Sequence, residues 1–283
     1  MTDSSSTSKN LDPAESFWKQ NGKRYAEAIE ESTLKNSQVA FELTNHLFPK
    51  RKLDVLEIAC GSGIYGKWIF ENHSDLINHL ALCDINEPMI ELCKIRFEKI
   101  PNSEKVKIVN CSCLDLTENF SEKFDVIFGF SIIYLLTDPS ELVTKLKPLM
   151  KEDSIFIFSA MADFEKSNYY TELTPVWSKY RIVYCDEKSP IFQFSSIEHT
   201  DSFMKALGLK RQFVQNHIAS KKFENDDQLE NMIQWYLINK NVAKLSSDDQ
   251  KKLEVDLREA LTKLKAEGKS LDYVSRIYAY VLE

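Results

Sequence analysis

The segment LDVLEIACGSGIYG, residues 53–66, joins an apolar run to a cluster of glycines. The whole chain has only 7 glycines, and three of them, Gly61, Gly63 and Gly66, fall within this segment. Glycine lets the backbone adopt left-handed conformations and approach a ligand closely, so this concentration indicates a specialised turn. The pattern predicts a strand over Leu53–Ala59, then the glycine turn, then a helix that continues to about His73.

Apolar runs and helical periodicities alternate on both sides of this turn. Two helices are predicted within residues 16–48, and helices follow strands at distances typical of βαβ crossovers. We therefore expect an α/β fold with a Rossmann-like, doubly wound, mostly parallel seven-stranded sheet and helices on both faces. The predicted strands cover residues 53–59, 80–83, 106–110, 124–130, 154–159, 210–217 and 274–282.

The glycine turn matches G-x-G-x-x-G, and Asp84 follows its last glycine by 18 residues. Dinucleotides and S-adenosylmethionine (SAM) both bind at such turns, with an acid after the second strand contacting the ribose. Glu57 favours SAM, because its carboxylate would repel a pyrophosphate but attract a sulfonium and an ammonium. Asp125, in the fourth predicted strand, adds a second acid to the sheet. An NAD(P)-dependent oxidoreductase is the alternative.

At these residues the chain resembles the class I SAM-dependent methyltransferases. VLEIACGSG (55–63) is similar to their first motif, with Ala59 where the family often has a glycine. ALCDINEPMI (81–90), VNCSCLDL (109–116) and FDVIFGFSIIYLL (124–136) are similar to the next three motifs. The resemblance implies SAM as the cofactor and S-adenosylhomocysteine as its product.

The resemblance also implies roles for particular residues. Asp84 holds the ribose and Ile85 flanks the adenine, while the aspartate that contacts the adenine in the family aligns with either Cys113 or Asp115. The alternative for Asp84 is a helix N-cap. Phe130 and Ser131 line the methionine end of the cofactor, and Tyr25 belongs to a helix that caps it. In the alternative interpretation, Phe130 and Tyr25 are ordinary core residues. The implied cofactor-binding set is Tyr25, Glu57, Ala59, Gly61, Gly63, Asp84, Ile85, Met89, Cys113, Leu114, Phe130 and Ser131.

The predicted domain organisation follows from this resemblance. A disordered tail (1–12) precedes a single methyltransferase domain (13–283), which contains N-terminal cap helices (16–48), a SAM-binding core (50–160) and two acceptor-side insertions (160–195 and 226–267).

The acceptor is predicted only by class. Residues 160–195 contain eight aromatic side chains, which indicate a wall for a small or partly apolar acceptor, with core packing as the alternative. We expect O- or N-methylation by in-line displacement, for which alignment matters more than a catalytic dyad, and no catalytic residue is nominated. The long helical insertion (226–267) resembles members that act on small acids. The alternatives are a catalytically inactive SAM-fold subunit and a protein or RNA methyltransferase.

Composition excludes several other classes of protein. The 283 residues carry a net charge of −7, which argues against a nucleic-acid partner. The longest mainly apolar run, Val126–Leu136, is too short for a membrane span, and MTDSSSTSKN has no apolar signal region. Six cysteines without a CxxC pair and five unclustered histidines indicate a reducing compartment and no metal site. We expect a cytoplasmic monomer or homodimer that has no membrane partner.

Overall fold

The computed structural model describes residues 13–48 and 51–283, and the predicted disordered tail (1–12) lies outside the described residues. Seven strands form within this part of the chain. They are β1 (Leu53–Ile58), β2 (Ile77–Asp84), β3 (Val106–Asn110), β4 (Phe124–Gly129), β5 (Met150–Asp163), β6 (Leu209–Lys221) and β7 (Leu271–Leu282).

The strands form one sheet in the order β3-β2-β1-β4-β5-β7-β6. The first five in this order are parallel, and β7 is antiparallel to both of its neighbours. The strand order reverses between β1 and β4, and open α/β sheets bind ligands outside the carboxyl ends of the strands at such a point. The predicted mostly parallel, doubly wound sheet is confirmed.

The strands after β4 are longer than the sequence predicts. β5 has 14 residues, β6 has 13 and β7 has 12. The prediction followed apolar runs, whereas the antiparallel ladders of β7 continue into polar ends, where Asp163 pairs with Val274. Backbone hydrogen bonds therefore extend these strands beyond the alternation of their side chains.

Helices cover both faces of the sheet. They are α1 (Pro13–Ala28), α2 (Glu30–Leu47), α3 (Ile64–His73), α4 (Glu87–Phe97), α5 (Leu116–Asn119), α6 (Pro139–Leu146), α7 (Asn168–Thr171), α8 (Thr174–Lys179), α9 (Ile197–Ala206), α10 (Asp226–Leu237) and α11 (Ser247–Ala266). The start of α4 matters most for the site: the Asn86 side chain accepts a hydrogen bond from the Met89 amide at 3.2 Å, and Pro88 lies in the first turn.

Apolar side chains pack on both faces of the central strands. Every residue of β4 is buried, and five of the six residues of β1 are buried. Phe128 belongs to the apolar cluster on one face, while Ile127 belongs to the cluster on the other. Because both faces of these strands are covered, a ligand can contact them only at their ends.

Asp125 lies at the amino end of β4, far along the strand from the glycine turn. Its carboxylate accepts a hydrogen bond from the Asp54 amide at 2.8 Å, lies 2.7 Å from Lys151 Nζ, and pairs with Arg51. The interpretation of Asp125 as a second acid that favours SAM is therefore wrong. The residue ties together the amino ends of β1, β4 and β5 through an ion-pair cluster.

The two predicted insertions pack against each other. The rings of Trp177 in α8 and Tyr236 in α10 lie 5.6 Å apart, and the Tyr180 hydroxyl lies 3.1 Å from an Asp256 carboxylate oxygen in α11. The aromatic segment and the charged helices therefore form one layer. Over the described residues, no helix combines the length and the apolar character that a membrane crossing requires.

Candidate functional site

Two adjoining cavities lie at the carboxyl ends of β1, β2 and β4. The larger has a volume of about 390 Å³ and the smaller of about 50 Å³. Seven residues line both of them: Tyr25, Thr33, Ala59, Gly61, Met89, Phe130 and Ser131. Asp84 and Ile85 line the larger cavity, and Glu57 lines the smaller one. The structure thus brings nine of the twelve predicted cofactor-binding residues to one place.

The turn after β1 depends on left-handed backbone at Ala59 (φ 52°), Gly61 (φ 56°) and Gly63 (φ 72°). Alanine takes this conformation with strain, which explains why the position of Ala59 suits glycine. A side chain at Gly61 would meet only the Met89 methyl group, at 3.2 Å. The bare backbone at Gly61 therefore widens the space that the two cavities share.

Gly63 lines neither cavity. A Cβ at this position would lie 2.3 Å from the Cys93 sulfur in α4, so its lack of a side chain serves the packing of two helices. Cys113 and Leu114 are also absent from the linings of both cavities, as is Asp115. Cys113 instead belongs to the apolar core, where burial raises its pKa to about 12.

Asp84 fastens the end of β2 to the glycine turn. One carboxylate oxygen accepts a hydrogen bond from the Gly61 amide at 2.8 Å, and the other accepts one from the Asn86 amide at 2.8 Å. Burial raises the pKa of Asp84, and these hydrogen bonds oppose the rise. The N-cap of α4 is Asn86, so the alternative interpretation of Asp84 as the N-cap is wrong.

Glu57 is a buried acid beside the smaller cavity. Its side chain is 5% exposed, and its Oε2 atom has no hydrogen-bond partner among the described residues. Burial raises the pKa of Glu57 well above its usual value, and the neighbouring Cys93 and the Asp84 and Glu30 carboxylates raise it further. A cationic ligand group in the smaller cavity would supply the missing partner.

A second polar cluster borders the smaller cavity, and no motif in the sequence marks it. Arg96 in α4 pairs with Glu30 at the start of α2, at 2.5 Å and 3.2 Å, and both contact the Ser62 hydroxyl. Glu30 and Arg96 are 66 residues apart in the chain. The arrangement fixes the amino end of α2 against the glycine turn.

Helix α1 covers the larger cavity from the side of α4. A Cβ at Gly22 would lie 2.5 Å from Asn86 Nδ2, and the Asn86 amide group donates a hydrogen bond to the Trp18 carbonyl. Tyr25, further along α1, packs edge to face against Trp235, with ring centroids 5.6 Å apart. The predicted capping helix is therefore in contact with the cavity.

The far side of the larger cavity is aromatic. From the predicted aromatic segment, Tyr169, Tyr170 and Tyr184 line it. Trp235 on α10 and Tyr273 on β7 complete the wall, and the sequence analysis missed both because no local motif marks them. The other aromatic side chains of the segment serve packing; for example, Phe192 and Phe194 are buried in the core.

The lining of this cavity is nearly free of charge. Among the described residues that line it, Asp84 is the only acid, and none is a lysine, arginine or histidine. Burial raises the pKa of Tyr134 to about 12 and the pKa of Tyr170 and Tyr273 as well. These phenols stay protonated near neutral pH, so they donate and accept hydrogen bonds and do not act as bases.

A seven-stranded sheet with this order, a glycine turn after β1 and an acid at the end of β2 define the class I SAM-dependent methyltransferase fold. The chain belongs to the methyltransferase domain family, whose match covers residues 49–234, and SAM is the cofactor of this class.

Comparison with individual proteins agrees with the family. The chain is 27% identical over 142 residues to the malonyl-[acyl-carrier protein] O-methyltransferase of Acetivibrio thermocellus, which covers 50% of the chain and 46% of that protein. The chain thus matches about half the length of this relative. YjhP from E. coli is similar in structure, with a TM-score of 0.54 at 14% identity over 94% of this chain and 99% of that one. A SAM-dependent methyltransferase from Geobacter sulfurreducens in complex with S-adenosylhomocysteine has a TM-score of 0.52 at 11% identity, over 91% and 92%. These structural similarities establish the fold.

Proposed function

We propose that this chain transfers the methyl group of SAM to the carboxylate oxygen of a small, largely apolar acid. The observation that carries the proposal is the larger cavity. It extends from the turn of Gly61 and Asp84 to a wall of tyrosines, and its described lining contains no histidine, lysine or arginine.

The groups around the glycine turn fit SAM. Asp84 lines the larger cavity, where the remaining lone pairs of its carboxylate could accept hydrogen bonds from a ribose, and Ile85 next to it offers an apolar face to the adenine. Glu57 lies beside the smaller cavity, where the cationic amino-acid end of SAM would favour its ionised form and pair with it. Gly61, Met89, Phe130 and Ser131 complete the shared wall between the two positions. Tyr25, on α1, would cover the bound cofactor.

The chemistry of the lining selects the acceptor. Methyl transfer to a carboxylate forms an O–C bond and breaks the C–S bond of the sulfonium, whose electron pair stays on sulfur, so no proton moves. An alcohol, a phenol or an ammonium must lose a proton before or during attack and needs a base. The tyrosines keep their protons, and Asp84 is held by two backbone amides on the cofactor side. A carboxylic acid is already ionised at neutral pH and needs no base.

The apolar character of the cavity supports an acceptor with an apolar body. Trp235, Met161 and Ile191 line the region together with the tyrosines, so water is displaced from around an acceptor that fills it. A carboxylate with less water around it is also a better nucleophile. The similarity to a malonyl-[acyl-carrier protein] O-methyltransferase supports an oxygen acceptor.

N-methylation of an amine is the second candidate. Aromatic rings attract ammonium groups, and Trp18, Tyr25 and Trp235 pack together at the cavity with ring centroids 5.3–6.3 Å apart. The same rings would face the sulfonium, so this observation does not distinguish an amine from a carboxylate.

Transfer of tritium from methyl-labelled SAM to benzoate, octanoate and benzylamine tests the proposal. Methyl esters release volatile methanol in base, whereas N-methyl products do not. We expect base-labile label with benzoate or octanoate and none with benzylamine. Label retained with benzylamine would favour the second candidate. An absence of transfer to all three, with S-adenosylhomocysteine still bound, would indicate a non-catalytic subunit or a macromolecular acceptor.

A matched pair of variants checks the cofactor site. Asp84→Ala should weaken binding of S-adenosylhomocysteine by roughly ten- to hundredfold, because it removes a charged hydrogen-bond acceptor. Asp115→Ala, which lies outside both cavities, should bind normally. Equal affinities in calorimetric titration would remove Asp84 from the proposed site.

A further inference from the structure

Tyr273 lines the larger cavity, and its phenolic hydroxyl lacks a hydrogen bond of ordinary geometry to the described residues. The Tyr273 side chain is 4% exposed. Ser32 and Asn36 lie near it and oppose the rise in its pKa that burial causes, and each also makes a hydrogen bond to another residue. The Ser32 hydroxyl donates to the Ile29 carbonyl at 2.6 Å, and the Asn36 side-chain oxygen accepts from Ser275 at 2.8 Å.

A buried hydroxyl without a partner is unfavourable, so its place on a cavity wall calls for an explanation. Phenylalanine would fill the same volume without the unsatisfied group. The side chain comes from β7, near the point where that strand pairs with the outer part of β5. A ligand in the cavity can provide the partner that the protein does not.

The Tyr169 hydroxyl lies next to Tyr273 and is a second potential hydrogen-bond donor. The ring of Tyr169 lies 6.0 Å from the ring of Tyr273, and Trp235 Nε1 donates to the Tyr169 hydroxyl oxygen at 3.1 Å. This bond occupies an acceptor position on Tyr169, and the Tyr169 proton is within reach of both the neighbouring Tyr184 hydroxyl and a ligand in the cavity. Two neighbouring walls of the cavity thus present neutral donors, and its described lining presents no cationic one.

We propose that the Tyr273 hydroxyl binds the carboxylate of the methyl acceptor, with Tyr169 as a neighbouring donor, and so selects ionised acids. This proposal rests on the proposed function. Neutral donors orient a carboxylate without a cation to compete with the sulfonium for its charge. The ester formed is a weaker hydrogen-bond acceptor than the carboxylate, so the same hydroxyls favour release of the product.

Tyr273→Phe tests the assignment, with Tyr180→Phe as the control. Tyr180 is hydrogen-bonded to Asp256 and lines neither cavity. For esterification of benzoate we expect kcat/KM to fall roughly ten- to hundredfold in Tyr273→Phe, the range for losing a hydrogen bond to a charged group. The dissociation constant of S-adenosylhomocysteine should change less than twofold. Tyr180→Phe should match the unaltered protein in both measurements.

Two results would overturn the assignment. One is an unchanged kcat/KM for benzoate in Tyr273→Phe. The other is an equal loss of affinity for S-adenosylhomocysteine, which would place the hydroxyl on the cofactor.

Calorimetric titration of benzoate into the complex with S-adenosylhomocysteine separates this proposal from the proposed function. If benzoate binds but is not esterified, and Tyr273→Phe weakens its binding, the proposed function fails and the carboxylate site stands. If benzoate is esterified and binds Tyr273→Phe normally, only the carboxylate site fails. A chain that neither binds nor esterifies benzoate or octanoate refutes both.

One comparison needs no variant and holds even if Tyr273→Phe does not fold. The unaltered protein should bind benzoate at least tenfold more tightly than methyl benzoate, and equal affinities would contradict recognition of the carboxylate.

Discussion

The two halves of the larger cavity are built in different ways. The half proposed to hold the cofactor comes from two short segments, at residues 59–61 and 84–89, where the backbone amides of Gly61 and Asn86 bind the Asp84 carboxylate. The half proposed to hold the acceptor comes from side chains of β7, α7, α10 and the loops beside them, and contacts between their aromatic rings hold it together. The first half therefore depends on backbone conformation, whereas the second depends on which side chains the whole fold brings together.

The largest effect should come from Gly63, where the backbone conformation and a helix contact combine. Gly63→Ala places a Cβ 2.3 Å from the Cys93 sulfur at a φ of 72°. We expect the free energy of unfolding to fall by about 3 kcal/mol or more, measured by urea denaturation.

Gly268→Ala is the matched control, because Gly268 has a similar φ of 65° but nothing within 4 Å of an added Cβ. It should lose about 1 kcal/mol from the backbone conformation alone. Equal losses in the two variants would mean that the helix contact is unimportant and that the turn alone makes Gly63 necessary.

The pH dependence of stability tests whether Glu57 is a neutral, buried acid in the folded protein. Its pKa is raised by burial above the reference value of 4.5, so the unfolded chain ionises at a lower pH than the folded one. The free energy of unfolding should therefore fall as the pH rises above about 4.5, by up to about 1.4 kcal/mol per pH unit until the folded pKa is reached.

Glu57→Gln should lose this pH dependence and become more stable than the unaltered protein at pH 8. It should also bind SAM more weakly, because the negative charge is gone. Urea denaturation across pH 4–8 measures the first effect and calorimetry the second. Parallel stability profiles for the two proteins would show that Glu57 is ionised in the folded chain.

The smallest effect concerns Ala59, which holds a left-handed conformation at φ 52°. Ala59→Gly should raise the free energy of unfolding by about 0.5–1 kcal/mol, because glycine relieves the strain. Ala260→Gly, in the middle of α11, should lower it by about 1 kcal/mol. A loss of stability in Ala59→Gly would mean that the turn is not strained.

Much of the fold was predictable because its local signals agree. The glycines after β1, the apolar runs of β1 to β4 and Pro88 at the start of α4 each mark an element without reference to distant residues. The full lengths of β5 and β7 were not predictable, because partners far apart in the chain, such as Asp163 and Val274, determine them. Asp125 was misread for a similar reason: its partner Lys151 becomes a neighbour only when β4 and β5 pair.

The candidate site follows the same division. Gly61, Asp84 and Met89 belong to motifs, and the structure places them on the cavity. Gly63 belongs to the same motif but packs against Cys93. A glycine pattern does not show which neighbour an added side chain would meet, so this contact was not predictable. Tyr273 and Trp235 lie in segments with no distinctive pattern. Only the packed fold brings them opposite the glycine turn.

Asn86 connects the end of β2 to helix α1. Its backbone amide holds the Asp84 carboxylate, and its side chain holds the Trp18 carbonyl of α1. If the nucleoside of the cofactor binds beside Asp84 as proposed, α1 lies against it, and movement of α1 away from Asn86 would open that side of the cavity. Exchange of the cofactor would then slow as solvent viscosity increases.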